Sequence, residues 1–242
     1  MAYFLLLHGS LHNQTCWFKV ERLLKGAGHK VASITFSGQQ GGRSKSPFLV
    51  TANDYAQDVL SIAATVGEPI VAVAHSMGGF PMSMAAEKHP ELFKHLVFVS
   101  ALVPPLGSCS IFSVGRGDRL SNFSTSLSLS LLNASLKINQ DIASELFYHD
   151  CAVQDQERAL RNLLYQPIRP LLSRAKFSVD GFGAVPKTYI VCTQDKACSP
   201  EFQRQLASNQ NIKNIEELHC SHSPFLSQPS ALVSLLERVL AD

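Results

Sequence analysis

Short, continuously apolar segments alternate with longer amphipathic segments along most of the chain, and this alternation constrains the fold more than any other feature. The strand-like segments lie at 3–8, 30–36, 69–75, 95–103, 187–193 and 215–220. Apolar segments that lack a polar face are typical of parallel strands buried on both sides. Since a helical pattern follows each of them, the sequence predicts an α/β fold: a mostly parallel central sheet with helices on both faces.

The alternation stops between about residues 104 and 186, where the sequence predicts no clear strand. Two segments there, 141–150 and 153–165, have helical patterns, and a Ser- and Leu-rich segment at 121–136 has no clear period. We interpret 1–104 and 187–242 as the core and 105–186 as a helical cap inserted after the strand near 95–103. Open α/β sheets bind ligands at the carboxyl ends of their strands, so we expect the cap to cover the functional site.

Composition excludes several classes of function. The formal net charge of the 242 residues is only +2, which gives little support to nucleic-acid binding. We expect no membrane association, because no apolar segment reaches the length of a membrane span. The apolar start is short and lacks a basic leader, which favours a first strand over a signal peptide and predicts a cytoplasmic protein. A homodimer is left open.

The cysteines give a second indication of the compartment. None of the six forms a CxxC pair. Without a secretion signal, the sequence favours free thiols over a disulfide framework. The six residues are Cys16, Cys109, Cys151, Cys192, Cys198 and Cys220.

The pentapeptide AHSMG places Ser76 directly after a predicted buried strand and before a predicted helix. In a nucleophile elbow the serine occupies a sharp strand-to-helix turn, which projects its hydroxyl above the sheet edge. The residues two before and two after must be small, and here they are Ala74 and Gly78. A serine at such a junction can also be a simple helix cap, so the assignment needs partners elsewhere in the chain.

Two residues downstream provide those partners. A serine nucleophile needs a base, and the base needs an acid that orients it. His222 lies just past the last predicted strand, whereas His219 falls inside that strand and is better explained by packing or surface exposure. Asp195 follows the strand at 187–193. The order Ser76, Asp195, His222 is the one expected of a serine hydrolase on this fold.

The first predicted strand ends in His8-Gly9, and the loop after it is the expected source of an oxyanion donor. Stabilising an oxyanion requires two backbone N–H groups. We assign these to Met77, directly after the nucleophile, and to Ser10, where Gly9 lets the backbone approach closely. A plain glycine turn is the alternative. We place Gly9 and His12 beside the substrate, with no catalytic role for His12.

Together these segments resemble the α/β-hydrolase superfamily, and more narrowly the plant methylesterase and hydroxynitrile lyase family with its microbial relatives. The segments that carry the resemblance span most of the chain outside the cap: LLLHGSLHNQTCWFKV, LLKGAGHKV, VAVAHSMGG, PKTYIVCTQDKACSPEFQRQ and HSPFLSQP. The resemblance implies a triad of Ser76, His222 and Asp195 under a lid, with no metal and no cofactor.

The family contains two chemistries, which two positions help to distinguish. Its lyases resemble one another in carrying Thr or Asn where this chain has Gly9, and some carry Lys where it has Ser223. Both differences favour ester hydrolysis. We therefore expect a serine esterase for a small, apolar or aromatic ester, acting through an acyl-enzyme. Cyanohydrin cleavage and a non-catalytic small-molecule receptor remain alternatives, and a purely structural role has only the Ser/Leu-rich segment in its favour.

Overall fold

A computed structural model describes residues 1–240. The strands are β1 Tyr3–Leu7, β2 Lys30–Ile34, β3 Ile70–His75, β4 Phe93–Val99, β5 Gly107–Ser110, β6 Leu127–Ser130, β7 Ser135–Ile138, β8 Gln166–Pro167, β9 Arg174–Phe177, β10 Lys187–Cys192 and β11 Asn214–Leu218. The α-helices are α1 Phe18–Gly26, α2 Ala52–Ala63, α3 Gly79–Lys88, α4 Ile111–Gly115, α5 Gln140–Phe147, α6 Val153–Arg161, α7 Ile168–Leu172, α8 Pro200–Asn209, α9 Pro224–Ser227 and α10 Pro229–Arg238.

Six strands form the central sheet, in the order β11-β10-β4-β3-β1-β2. Every pairing between neighbours in this sheet is parallel. The predicted fold class is confirmed. Because the strands run the same way, the turns that follow β1, β3, β4, β10 and β11 all lie at one edge of the sheet.

The central strands bury both of their faces, which explains why they read as continuous apolar segments. In β3, Val71 and Val73 pack into one hydrophobic cluster, while Ala72 and Ala74 pack into the other. This is the two-residue period of a strand, with apolar residues on both sides. The two clusters are the two layers of core between the sheet and its helices.

Helix α2 begins directly after Thr51, its N-cap residue. The Thr51 hydroxyl accepts a hydrogen bond from the Asp54 amide, and the Asp54 carboxylate accepts one from the Thr51 amide. This reciprocal pair is a capping box, which satisfies amides that the first turn leaves without partners.

The cap, a name we use for residues 105–186, is not purely helical. It contains α4–α7, but also an antiparallel β5–β9 pair and a three-stranded sheet in the order β6-β7-β8. The expectation that this segment lacks strands was therefore wrong. Its strands have only two to four residues, too short for a two-residue period to be recognised against a background of Ser and Leu.

None of the helices formed within residues 1–240 combines the length and apolar character needed to cross a bilayer. All six cysteines are free thiols, and all but Cys16 are buried.

Candidate active site

Ser76 sits on a strained turn between β3 and α3. Its φ is +52°, in the left-handed region that L-residues other than glycine rarely adopt. A Cβ at Gly78 would lie 2.5 Å from the His8 carbonyl oxygen, so no larger residue fits there. The Leu102 amide donates to the Ser76 carbonyl at 2.9 Å. The turn is thus held between the loops that follow β1 and β4, as a nucleophile elbow requires.

The loop after β1 passes directly against this turn because Gly9 has no side chain. A Cβ built at Gly9 would lie 2.7 Å from Ser76 Cβ and 2.9 Å from His75 Nδ1. The next residue along, Ser10, lines the same cavity as Ser76 and Met77. The two backbone segments expected to supply oxyanion donors therefore flank the serine.

His222 and Asp195 form a buried pair at the ends of β11 and β10. His222 Nδ1 lies 2.6 Å from Asp195 Oδ2, and both side chains are almost completely buried. The other carboxylate oxygen accepts hydrogen bonds from the Ala197 amide at 2.7 Å and the Cys198 amide at 2.9 Å. Since the carboxylate is an acceptor, Nδ1 of His222 carries the proton and donates it, which leaves Nε2 as the basic nitrogen.

His75 joins this pair to the serine turn. It precedes Ser76 in the chain, its Nε2 donates to the His222 carbonyl oxygen at 2.8 Å, and the two rings lie 4.4 Å apart. Within residues 1–240 the Ser76 hydroxyl has no hydrogen bond to the His222 ring. Catalytic hydrogen bonds commonly tighten only when substrate is bound. In this structure the connection between the serine turn and His222 runs through His75.

Sequence reasoning missed two residues that bind the carboxylate. Ser100 follows β4, has a φ of +43°, and donates its hydroxyl hydrogen to Asp195 Oδ2. Its Oγ also lies 3.3 Å from His222 Nδ1. Gln203 of α8 donates Nε2 to the same Oδ2 at 3.2 Å. The position of Ser100 at a strand end was a usable signal, whereas Gln203 looks like any polar residue of an amphipathic helix.

His219, assigned to a strand from the sequence, instead follows β11, which ends at Leu218. Its side chain is exposed and its Nδ1 lies 3.1 Å from Thr193 Oγ1. The surface explanation is therefore the one that the structure supports.

His12 is fixed beneath the site by hydrogen bonds at both ring nitrogens. Its Nδ1 donates to the Ser10 carbonyl at 2.7 Å, so Nε2 accepts from the Tyr148 hydroxyl, also at 2.7 Å. Neither His12 nor Gly9 is among the described residues that line the cavity beside Ser76. Their predicted contact with substrate stays untested, and the geometry instead gives both a role in positioning the loop that carries Ser10.

The same loop is bonded to the cap. Leu11 has a φ of +65°, and its carbonyl oxygen accepts a hydrogen bond from the Leu164 amide at 2.7 Å. The backbone next to Ser10 therefore depends on residues of the cap for its conformation.

Burial keeps the histidines of this loop neutral. Desolvation lowers the pKa of His8 from 6.5 to about 3 and that of His12 from 6.5 to about 4. In the unfolded chain both rings take up protons as the pH falls below about 6.5, whereas in the folded protein they do not. Their neutral form therefore stabilises the fold fully above pH 6.5, and this contribution is lost as the pH falls towards the folded values.

We expect the free energy of unfolding to drop by about 1 kcal/mol per pH unit for each of these histidines between about pH 6 and 4.5. His12→Gln removes one of the two, so its stability should fall less steeply with acidification. Urea unfolding at a series of pH values measures both slopes. A variant slope as steep as that of the wild type would contradict this explanation.

A cavity of about 340 Å³ opens above Ser76 at the carboxyl edge of the sheet. Its apolar wall comes mainly from the cap, in the residues Phe112, Phe123, Leu127, Leu129, Leu136 and Leu171. Other apolar residues of the cap lie outside this wall: Leu131 is 80% exposed, and Phe147 is buried in the core.

The alpha/beta hydrolase family profile matches residues 4–235. This chain belongs to the alpha/beta hydrolase family. The fold follows from that membership and agrees with the expectation drawn from the sequence.

This alpha/beta hydrolase is similar over nearly its whole length to plant proteins. It is 28% identical to Methylesterase 7 of Arabidopsis thaliana, with 96% of this chain and 94% of the relative covered. It is 30% identical to Salicylic acid-binding protein 2 of Nicotiana tabacum, with 97% and 96% covered. The crystal structure of polyneuridine aldehyde esterase superimposes with a TM-score of 0.89 at 25% identity, covering 100% of both chains. The predicted resemblance to the methylesterase family is confirmed.

Proposed function

We propose that this alpha/beta hydrolase is a serine esterase that cleaves a carboxylic ester of a small, apolar or aromatic molecule through an acyl-enzyme. The observation that carries the proposal is the strained Ser76 turn, which is open to an apolar cavity and is linked through His75 to the buried His222–Asp195 pair. The similarity to proteins named as esterases supports the same reaction type.

In the proposed mechanism, His222 Nε2 removes the Ser76 proton as the oxygen attacks the ester carbonyl carbon. The amides of Ser10 and Met77 stabilise the resulting oxyanion. His222 then protonates the leaving alcohol as the C–O bond breaks, which leaves an acyl-Ser76 ester. Water, deprotonated by the same imidazole, attacks this ester and releases the acid, returning the proton to Ser76. Asp195 holds the tautomer and stabilises the imidazolium in both steps.

Two features favour ester hydrolysis over cyanohydrin cleavage. Gly9 leaves no room for a hydroxyl or amide side chain beside Ser76 without movement of the turn. Ser223, which follows the base, has a buried hydroxyl with no partner among the described residues and provides no cation for a departing cyanide. Assaying mandelonitrile cleavage beside p-nitrophenyl acetate hydrolysis would distinguish the two chemistries.

The proposal is tested by labelling with a fluorophosphonate, which reacts only with an activated serine. We expect one phosphonyl group per chain, located by mass spectrometry on the Ser76 peptide, with loss of p-nitrophenyl acetate hydrolysis in proportion to labelling. Ser76→Ala should abolish both signals. Ser124→Ala, which changes another serine of the cavity wall, should retain them. Absence of label on wild-type Ser76 would instead support a receptor that binds small molecules without reacting.

We place the protein in the cytoplasm on the strength of its six free thiols, which suit a reducing compartment. A small-molecule ester is its proposed partner. Sedimentation of the purified protein would show whether it is a monomer or a homodimer.

A further inference from the structure

His75 is the polar residue of an otherwise apolar strand, and it occupies the last position of β3. Its side chain is completely buried. Because it directly precedes Ser76, its ring is attached to the backbone that carries the nucleophile. It takes no step in the proposed mechanism, and it is not among the described residues that line the cavity. Contact with substrate therefore does not account for a buried imidazole at this position.

The two ring nitrogens of His75 differ in their surroundings. Nε2 lies 2.8 Å from the His222 carbonyl oxygen, and because a carbonyl oxygen only accepts, Nε2 carries the ring proton. Nδ1 is then unprotonated, and it is buried without a hydrogen-bond partner within residues 1–240. An unpaired buried acceptor lowers stability, so packing alone would favour an apolar side chain here. The hydrogen bond from Nε2 is what an apolar side chain could not provide.

This bond joins two parts of the site that are far apart in sequence. The His222 ring is held by Asp195, 2.6 Å from its Nδ1. The backbone before it is held by the cap, since the Ser221 amide donates to Asp150 at 2.8 Å. The bond from His75 instead ties the His222 backbone to the strand that ends at the nucleophile, across 147 residues of sequence. It is the contact that positions the base directly against the serine turn.

Proton transfer through His75 does not fit these contacts. Its ring proton is bonded to a backbone carbonyl oxygen, which cannot pass the proton on. Burial, together with the neighbouring His222 and His12, holds the pKa of His75 well below its usual value of 6.5. The ring therefore stays neutral, and it places no second positive charge beside His222 when that residue becomes an imidazolium.

We propose that His75 is a positioning residue for the general base: the hydrogen bond from its Nε2 to the His222 carbonyl oxygen sets the separation of the His222 imidazole from Ser76. This inference rests on the proposed esterase function and adds a residue that supports its proton transfers. Since His75 does not line the cavity, its loss should slow the reaction of Ser76 and leave ligand binding nearly unchanged.

The test follows inactivation by a fluorophosphonate at a series of concentrations, which gives a maximal rate, kinact, and a half-saturating concentration, KI. His75→Phe keeps a ring and removes the donor, so kinact should fall by roughly 10- to 10²-fold while KI changes by less than about twofold. His75→Gln should restore kinact to within about threefold of the wild type, because its amide nitrogen lies as many bonds from Cβ as Nε2 of histidine does.

His95 provides a matched control on the neighbouring strand. It is a buried histidine of β4, and its Nε2 lies 2.9 Å from Thr188 Oγ1. Since His95 pairs with Val71 of β3, it lies at the end of the strands remote from the serine turn. His95→Phe makes the same exchange, so it should lower the free energy of unfolding in urea without lowering kinact.

The possible results distinguish this inference from the proposed function. A His75→Phe variant that reacts as fast as the wild type overturns the inference and leaves the esterase intact. Equal losses in His75→Phe and His75→Gln also overturn it, because the effect would then come from packing. If wild-type Ser76 is not labelled at all, the proposed function fails and the inference fails with it.

A second variant covers the case in which His75→Phe does not fold, as judged by circular dichroism. His75→Asn also places an amide at this position, but its nitrogen is one bond too close to the backbone to reach the His222 carbonyl oxygen. Slow labelling of His75→Asn beside fast labelling of His75→Gln supports the inference, and equal rates contradict it.

Discussion

Asp195→Asn should lower kcat for ester hydrolysis by about 10⁴-fold while leaving the fold intact. Asn is nearly identical in shape, but its amide can present N–H to His222 Nδ1, which the carboxylate cannot. The imidazole would then carry its proton on Nε2, the nitrogen that must accept the proton of Ser76. The loss therefore comes from the wrong tautomer, and steady-state kinetics on p-nitrophenyl acetate would measure it.

A carboxylate on a neighbouring segment provides the matched control. Asp150 accepts a hydrogen bond from the Ser221 amide at 2.8 Å, next to the base in the chain. The amide oxygen of Asp150→Asn can still accept that bond, so activity should stay near that of the wild type. An Asp195→Asn variant with nearly normal kcat would exclude His222 as the general base held by Asp195.

Gly9→Ala is expected to reduce kcat by about 10²-fold. The added Cβ would lie 2.7 Å from Ser76 Cβ, closer than two carbon atoms can approach, so the serine turn or the loop carrying Ser10 must move. A displacement of about 1 Å in a catalytic group commonly costs a factor of this size. Kinetics combined with thermal unfolding would separate misplacement of the serine from general loss of structure.

Gly26→Ala makes the same chemical change where there is space. Apart from its chain neighbours and the backbone of its own helix, no atom lies within 4 Å of a Cβ built at Gly26, which ends α1. Alanine should preserve activity there and stabilise the fold by at most about 1 kcal/mol, because it reduces the freedom of the unfolded chain. Equal activity in both alanine variants would show that the contact between Gly9 and the serine turn is unimportant.

The core was predictable because local and long-range preferences agree there. A strand such as β3 is apolar on both faces, and only a parallel sheet covered by helices satisfies that pattern. The capping box at Thr51 is an equally local signal. Ser76 and His222 were recognisable because each follows a predicted strand, and a parallel sheet collects such positions at one edge.

The cap and the hydrogen bonds that support the candidate site were not predictable, because they depend on tertiary contacts and not on local sequence preferences. The three-stranded sheet of the cap joins β6 and β7 to β8, whose two residues carry no periodic signal. Gln166 of the cap is hydrogen-bonded to Tyr55 in α2, 111 residues away. Gln203 is only eight residues from Asp195, but it reaches the carboxylate because α8 packs against the end of β10. A single sequence contains no record of such pairings.

The bond between the Leu164 amide and the Leu11 carbonyl limits how this enzyme could be re-engineered. Exchanging the cap for that of a relative is an obvious route to a new specificity. A graft that shortens or shifts the segment before β8 would release the strained backbone at Leu11 and, with it, the neighbouring amide of Ser10. Chimeras should therefore keep residues 162–165 from the recipient and take from the donor only the wall that faces the ligand.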